Sequence, residues 1–314
     1  MNRVHVVAAV IRSADGLVLI AKRSPDKHQG GLWEFPGGKV EAGETAEIAL
    51  ARELAEELGI AMTASRPLIQ ISHDYPDKQV FLDVREVLAF TGEPHGAEGQ
   101  PLAWVTPSDL PGYSFPAANR SIVTAARLPD RYLITPDISV RELLIGLSAA
   151  LATGIKLIQL RAPSLAAREY RALATEVTAL CAGRAQVLLK GPLEWADEFP
   201  GAGWHLTAGQ LREHAGGDRP LGTGRWLAAS CHDATEMDLA ARIGVDFVVL
   251  SPVLATTTHP EAQPLGWQRA AELLSGFALP VFLLGGLGPG HLAHTARAGA
   301  QGVAAIRGFW PSEV

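Results

Sequence analysis

At 314 residues, with 47% apolar and 19% charged side chains, the chain is long enough for two domains that each bury a core, and no apolar run approaches the roughly 18 residues that span a bilayer. The net charge is −6 with no cluster of Lys and Arg, which argues against a long nucleic acid or a membrane as partner but leaves a mononucleotide carrying its own metal ion. Cys181 and Cys231 give neither a metal spacing nor a disulfide framework and read as reduced, buried thiols; with no cleavage site near the start, a cytoplasmic protein is expected.

Val4 to Ile11 and Leu17 to Lys22 read as strands joined at Ser13-Ala14-Asp15-Gly16. Trp33-Glu34-Phe35-Pro36-Gly37-Gly38 then leads into GKVEAGETAEIALARELAEELGI, Gly38 to Ile60. The two glycines permit a loop that lies close against the next element. That element is a predicted helix of about four turns, with Thr45 as N-cap and Gly59 as stop signal. Its periodicity places Ile48, Ala51, Leu54, Ala55 and Leu58 on one face and Glu53, Glu56 and Glu57 together on the other. Three carboxylates gathered in a small volume repel one another unless a cation intervenes, and all-oxygen ligands suit a hard ion, Mg2+ or Mn2+. Arg52 stands one turn before Glu56, placed to pair with it.

Arg66 to His73 and Gln79 to Phe90 read as a strand pair around Tyr75-Pro76-Asp77-Lys78, Ala103 to Val105 as a short strand after the loop Gly96 to Pro101, and Ile122 to Arg127 as a closing helix. Strands mixed with two helices predict an α/β/α sandwich on a mixed sheet for residues 1–128.

The spacing of Gly38, Glu44, Arg52-Glu53-Leu54, Glu56-Glu57 and Gly59-Ile60 is a complete Nudix box, and this part of the chain resembles the Nudix hydrolases, which cleave diphosphates linked to a nucleoside or similar group. Lys22-Arg23, Glu34-Phe35-Pro36-Gly37-Gly38, Tyr75-Pro76-Asp77, Glu98-Gly99-Gln100-Pro101 with Trp104, and Phe115-Pro116-Ala117-Ala118-Asn119 narrow the resemblance to the MutT type, the 8-oxo-dGTP diphosphatases of nucleotide-pool sanitation. That resemblance implies a metal site of Glu53, Glu56, Glu57, Glu98 and the Gly37 carbonyl, with Arg52 in the catalytic box and Arg23 meeting the phosphates. It further implies a base pocket of Phe35, Asp77, Lys78 and Asn119, with lysine at 78 where the family has arginine. Each of these has a competing reading: Asn119 caps the next helix, Phe35 is a core aromatic, Glu98 is an exposed loop carboxylate. Glu53 is the chosen general base, with the division of labour between Glu53 and Glu98 left open.

From Tyr132 the rhythm changes. Short β-rich runs recur at Tyr132 to Thr135, Lys156 to Arg161, Gln186 to Lys190, Gly203 to Leu206, Trp226 to Cys231, Phe247 to Ser251, Val281 to Gly285 and Gly302 to Arg307, with helical stretches between them. Eight parallel strands with crossovers predict a TIM-type (β/α)8 barrel over residues 131–314. Too few residues remain after the last strand for an eighth helix; Phe309 and Trp310, the first domain, or another subunit in a homo-oligomer would then cover the exposed flank.

Tyr132-Leu133-Ile134-Thr135-Pro136, Gln159-Leu160-Arg161, His205-Leu206, Ser251-Pro252-Val253 with Thr256-Thr257-Thr258, Pro264-Leu265-Gly266 and Leu284-Gly285-Gly286-Leu287 resemble thiamine phosphate synthase and its TenI-type relatives. Lys190-Gly191 stands where a synthase carries Asn-Asp, and the aspartate expected after the His205 region is missing, so the resemblance implies reduced or altered activity. What it retains is Arg161, a phosphate seat at Gly285 and Gly286, and His232 as a TenI-like base, set against the plainer reading of a neutral histidine hydrogen-bonded at a strand end. Two alternatives stand beside nucleotide sanitation: a bifunctional enzyme of thiamine-related metabolism, and a barrel that only binds a ligand or assembles.

Overall fold

The computed structural model describes residues 3–25, 29–74, 79–256 and 261–311. Two compact units organise it, Met1–Leu128 with Leu274–Leu279 and Pro129–Leu273 with Pro280–Val314. Among the described residues no helix is long and apolar enough to cross a membrane.

The first unit contains β1 (Arg3–Ile11), β2 (Val18–Lys22), β3 (Trp33–Glu34), α1 (Ala46–Leu58), β4 (Ala61–Asp74), β5 (Gln79–Thr91), β6 (Leu102–Val105) and α2 (Arg120–Arg127). β5 is central in a mixed sheet, parallel to β1 and antiparallel to β4, while β2 lies antiparallel between β3 and β6. Strand alternation sorts β1 onto two cores. Val7, Ala9 and Ile11 pack with Ala49, Leu50, Leu54 and Leu58 of α1. Ala8 and Val10 pack on the other side with Ile122, Val123, Ala125 and Ala126 of α2. The predicted sandwich is the observed one.

The turn after β1 forms, with Ser13 N–H donating to Leu17 O at 2.9 Å, yet β1 and β2 enter different sheets. β4 begins at Ala61, five residues before the predicted strand at Arg66, and its register with β5 slips between Pro67 and Ile69. Proline has no N–H to give the ladder, so a bulge is the way a strand accommodates it. A buried ion knot ties the sheet to α2: Glu86 accepts from Arg12 Nε at 2.6 Å and Arg66 Nε at 2.7 Å, and Arg12 Nη2 donates to Ala126 O at 2.7 Å.

The second unit is a closed parallel barrel of β7 (Arg131–Ile134), β8 (Leu157–Leu160), β9 (Gln186–Leu189), β10 (Gly203–Leu206), β11 (Leu227–Cys231), β12 (Phe247–Leu250), β13 (Val281–Leu283) and β14 (Gly302–Ala305). Crossovers carry α3 (Val140–Ala152), α4 (Ala167–Cys181), a 3-10 helix Leu193–Glu198, α5 (Ala208–Glu213), α6 (Ala234–Ile243), α7 (Gly266–Leu274) and α8 (Leu292–Arg297). Each predicted strand is present. Tyr132, Phe247 and Phe282 plug the axis as a triangle of rings with centroids 5.4–5.6 Å apart.

No helix comes after β14 among the described residues. Phe309 is buried, and the Trp310 ring lies so close to Gly146 of α3 that a Cβ there would overlap it. The indole therefore occupies part of the place an eighth helix would take. Trp310→Ala should destabilise the barrel by about 2–3 kcal/mol, the lower side of aromatic truncations because the ring is only half-buried; urea unfolding of the full chain reads this, and an unchanged midpoint would count against Trp310 as the cover.

Candidate active site and barrel cavity

α1 starts where Thr45 Oγ1 accepts from Ile48 N–H at 3.3 Å and ends at Gly59, whose φ of 65° lets its N–H return to Ala55 O. The helix is rotated relative to the sequence expectation. Leu50, Leu54, Leu58 and Ala49 are buried, whereas Ile48 is 57% exposed and Ala55 is also exposed. At 100° per residue Glu53 and Glu57 fall between Ala49 and Leu50, inside the inward arc. Glu56 falls outside it, with 60% of its side chain exposed against 16% for Glu53. The three glutamates thus do not share an outer face: two point inward, and Glu56 turns toward solvent and Arg52.

Glycine makes the inward placement feasible. The loop from Pro36 to Val40 is hydrogen-bonded along β1, with Val7 N–H to Gly38 O and Ala9 N–H to Pro36 O both 2.8 Å. Gly37 has φ 148° and its hypothetical Cβ would overlap Val7 O, while a Cβ on Gly38 would fall on the Glu53 carboxylate. Gly37 N–H donates to Glu57 Oε2 at 3.2 Å.

The far end of α1 is tied to the loop that brings Glu98. Ala97 N–H and Gln100 Nε2 both donate to Glu57 O, at 3.0 and 2.8 Å, and His95 N–H donates to Leu58 O at 3.1 Å. These are carbonyls the last helical turn leaves unpaired. Gln100 Oε1 also accepts from Glu98 N–H at 2.9 Å. Gln100 was not singled out from the sequence, although its place two residues after Glu98 marks it.

Burial, and then the neighbouring charges of Glu34, Glu53 and Glu98, push the Glu57 carboxyl up to about 7 against the help of Gly37 N–H. Arg52 restrains the others. It forks onto Glu44 with Nε and Nη2 both at 2.9 Å, reaches Glu53 at 3.0 Å and Glu56 at 3.4 Å, and donates to Lys39 O at 3.1 Å. The fork and Glu41 N–H hold Glu44 down at about 2. Arg23 pairs with Glu34, a neighbour of the cluster to which sequence reasoning gave no role of its own.

Among the described residues no three side chains already gather as a metal cage; the carboxylates instead meet Arg52, Arg23 and Gly37 N–H. The donor set nonetheless fits a hard divalent cation: oxygen ligands only, and a Glu57 carboxyl whose charge is disfavoured until a cation arrives.

Of the residues expected to form a base pocket, Phe35 and Asn119 fall within the described residues. Phe35 is buried, stacked on Phe115 with centroids 5.3 Å apart, and belongs to the core shared with α2. Asn119 stands half-buried before α2 and makes no side-chain capping hydrogen bond to it. Asp77 and Lys78 lie outside the described residues.

In the second unit a cavity of about 840 Å³ opens at the C-terminal ends of the strands, lined by Gln159, Arg161, Lys190, His205, Ser230, His232, Gly285, Gly286 and Arg307 among others. Active sites of such barrels lie at this end. Arg161, His232, Gly285 and Gly286 thus meet in one cavity. His232 Nδ1 lies 2.8 Å from Glu236 Oε2, and the buried Glu236 is also held by Arg212 Nη1 at 2.7 Å. That leaves His232 Nε2 for the cavity.

His205, fully buried, was only part of a motif in the sequence. It sits between Tyr132 OH at 3.1 Å and Ser230 Oγ at 2.9 Å, with Gln159 Nε2 donating to Tyr132 OH at 3.4 Å. Burial keeps the imidazole neutral and the phenol protonated. The neutral imidazole thus links the Tyr132 hydroxyl on the barrel axis to the Ser230 hydroxyl at the cavity wall. Cys181 and Cys231 are buried free thiols, as expected.

An acidic helix packed on a glycine loop and a parallel barrel with a polar mouth define a hydrolase domain joined to a (β/α)8 domain. Residues 131–309 match the family model for thiamine monophosphate synthase and residues 7–125 that for the NUDIX domain. The 8-oxo-dGTP diphosphatase of Escherichia coli (strain K12) is 36% identical over 123 residues, 39% of this chain and 95% of the relative. The CTP pyrophosphohydrolase of the same organism is 37% identical over 125 residues, 40% of this chain and 92% of the relative. A putative thiamine-phosphate synthase 2 of Aquifex aeolicus (strain VF5) is 31% identical over 184 residues, 58% and 98%. The chain belongs to the thiamine monophosphate synthase family through its barrel and to the MutT-type Nudix hydrolases through its N-terminal unit.

The Glu57 shift has a thermodynamic consequence. A carboxyl that titrates near 7 when folded and near 4.5 when unfolded keeps its proton where the unfolded chain has lost it. Stability then falls as pH rises from about 4.5 to about 7, by at most about 3 kcal/mol, and the penalty is absent below that window. In chelator, the first unit should lose stability over this range; Glu57→Gln should remove that slope, as should an added divalent cation. A slope identical in Glu57→Gln, measured by urea unfolding at several pH values, would show that the burial of Glu57 is not its source.

Proposed function

We propose that residues 1–128 form a Mg2+-dependent nucleoside triphosphate pyrophosphohydrolase that converts 8-oxo-dGTP to 8-oxo-dGMP and pyrophosphate, with Mn2+ as a substitute ion. The observation that carries this reading is the inward pair Glu53 and Glu57, set against Gly37–Gly38 with Glu98 brought alongside. Glu53, Glu56, Glu57, Glu98 and the Gly37 carbonyl would hold the ion. When bound, it supplies neutralisation of phosphate charge and acidification of water. Glu53, oriented by Arg52, accepts the proton of the water that attacks the β-phosphorus. Arg23 meets the phosphates, and Asn119, with no cap to make, hydrogen-bonds the edge of the oxidised base.

Two relatives of nearly equal identity bear different substrate names, so the base is the open point of specificity. The cavity in residues 131–314 favours a second reading: a bifunctional enzyme whose first domain hydrolyses a diphosphate of thiamine-related metabolism and whose barrel acts on a thiazole or pyrimidine phosphate. The polar lining of that cavity weighs against a purely structural module.

A panel of 8-oxo-dGTP, dGTP, CTP, the other dNTPs and hydroxymethylpyrimidine diphosphate, assayed with full-length protein and Mg2+, separates these readings. A preference for 8-oxo-dGTP over dGTP is expected; faster turnover of CTP or of the pyrimidine diphosphate would overturn it. Glu53→Gln and Glu57→Gln should each leave the protein folded and lower turnover at least ~100-fold. Near-normal activity in a folded Glu57→Gln variant would remove the metal-site reading.

A further inference from the structure

Lys190 comes directly after the last residue of β9 and lines two cavities at once, the axial one and an outer cleft of about 790 Å³ walled by Pro163, Leu165, Tyr170 and Trp195. Its backbone is fixed: Lys190 N–H donates to Tyr170 OH at 3.0 Å, and that hydroxyl donates to Leu160 O at 3.1 Å. Its ammonium has no such anchor. Glu194 and Glu213 line the outer cleft and Glu261 the axial cavity, but among the described residues none forms an ion pair with Lys190. The charged neighbour that acts on it is another cation, Arg161, and Lys190 in turn acts on the neutral His205.

A half-buried ammonium facing a guanidinium without a counter-charge is unfavourable, and losing its proton relieves it. Burial and Arg161 both act in that direction. At the top of a barrel strand, with its amine unpaired by any carboxylate among the described residues and lining a cavity, a lysine is placed to attack carbonyl carbon.

We infer that Lys190 is an imine-forming residue, and that the barrel cavity takes a small aldehyde or ketone bearing an anionic group. The Lys190 nitrogen adds to the carbonyl carbon; the carbonyl oxygen then leaves as water with the two hydrogens of the amine, and a carbon–nitrogen double bond remains. Arg161 and Arg307, both in the lining, match the anionic group. His232, held by Glu236, supplies the cavity with a group able to move a proton at the carbon next to the imine.

The test uses full-length protein at pH 7 with sodium cyanoborohydride and either acetaldehyde or glyceraldehyde 3-phosphate, and then peptide mapping. Lys190 should be alkylated at least about ten-fold faster than the exposed Lys39 and Lys156, and more rapidly still with the phosphorylated aldehyde. Lys190→Met, which keeps the stem but removes the amine, should lose the adduct while retaining its circular dichroism. Acetaldehyde labelling of Lys190 no faster than of Lys39 would overturn the amine's role, and equal rates for the two aldehydes would overturn the anionic class. The second domain's labelling is independent of nucleotide hydrolysis, so neither result bears on the first unit's activity.

Discussion

Carboxylates placed inside the packed face of a helix are the constraint on which the first unit depends. Glu53 and Glu57 share an arc with Ala49 and Leu50, and each would be repelled from a core without something to receive it. The Gly37–Gly38 backbone receives them, because no side chain intervenes and a backbone N–H points at Glu57. The loop is in turn immobilised by β1, the strand that carries both cores. Strand, loop and helix are thus one mechanical assembly, with acid at its centre.

Arg52 is the electrostatic counterpart of that assembly. One guanidinium reaches Glu44, Glu53, Glu56 and the Lys39 carbonyl. A lysine would supply the charge but not the planar fork. Because Glu44 takes the bidentate contact, Glu53 receives a single N–H and keeps an oxygen for other work.

The barrel was legible in the sequence because its strands are short runs of Val, Leu, Ile and Phe separated by helical stretches, a pattern that burial on both faces imposes. The box was legible from spacing. The phase of α1 was only half legible: in AEIALARELAEEL the periodicity marked Leu54 and Leu58 as inner, as they are, but completed the face with Ile48, Ala51 and Ala55 where the structure buries Ala49 and Leu50. Only the glycine loop tells otherwise, since it makes room for acid inside. Gln100 and His205 stood in their motifs without a role of their own for a related reason. Each acts through a tertiary hydrogen bond, to a helix-end carbonyl or across the barrel, and such bonds leave no periodicity.

A chain of hydrogen bonds runs from Gln159 through Tyr132 and His205 to Ser230. The Ser230 hydroxyl at the cavity wall is thereby coupled to the barrel axis, and loss of the Tyr132 hydroxyl would strand a fully buried imidazole nitrogen without its partner.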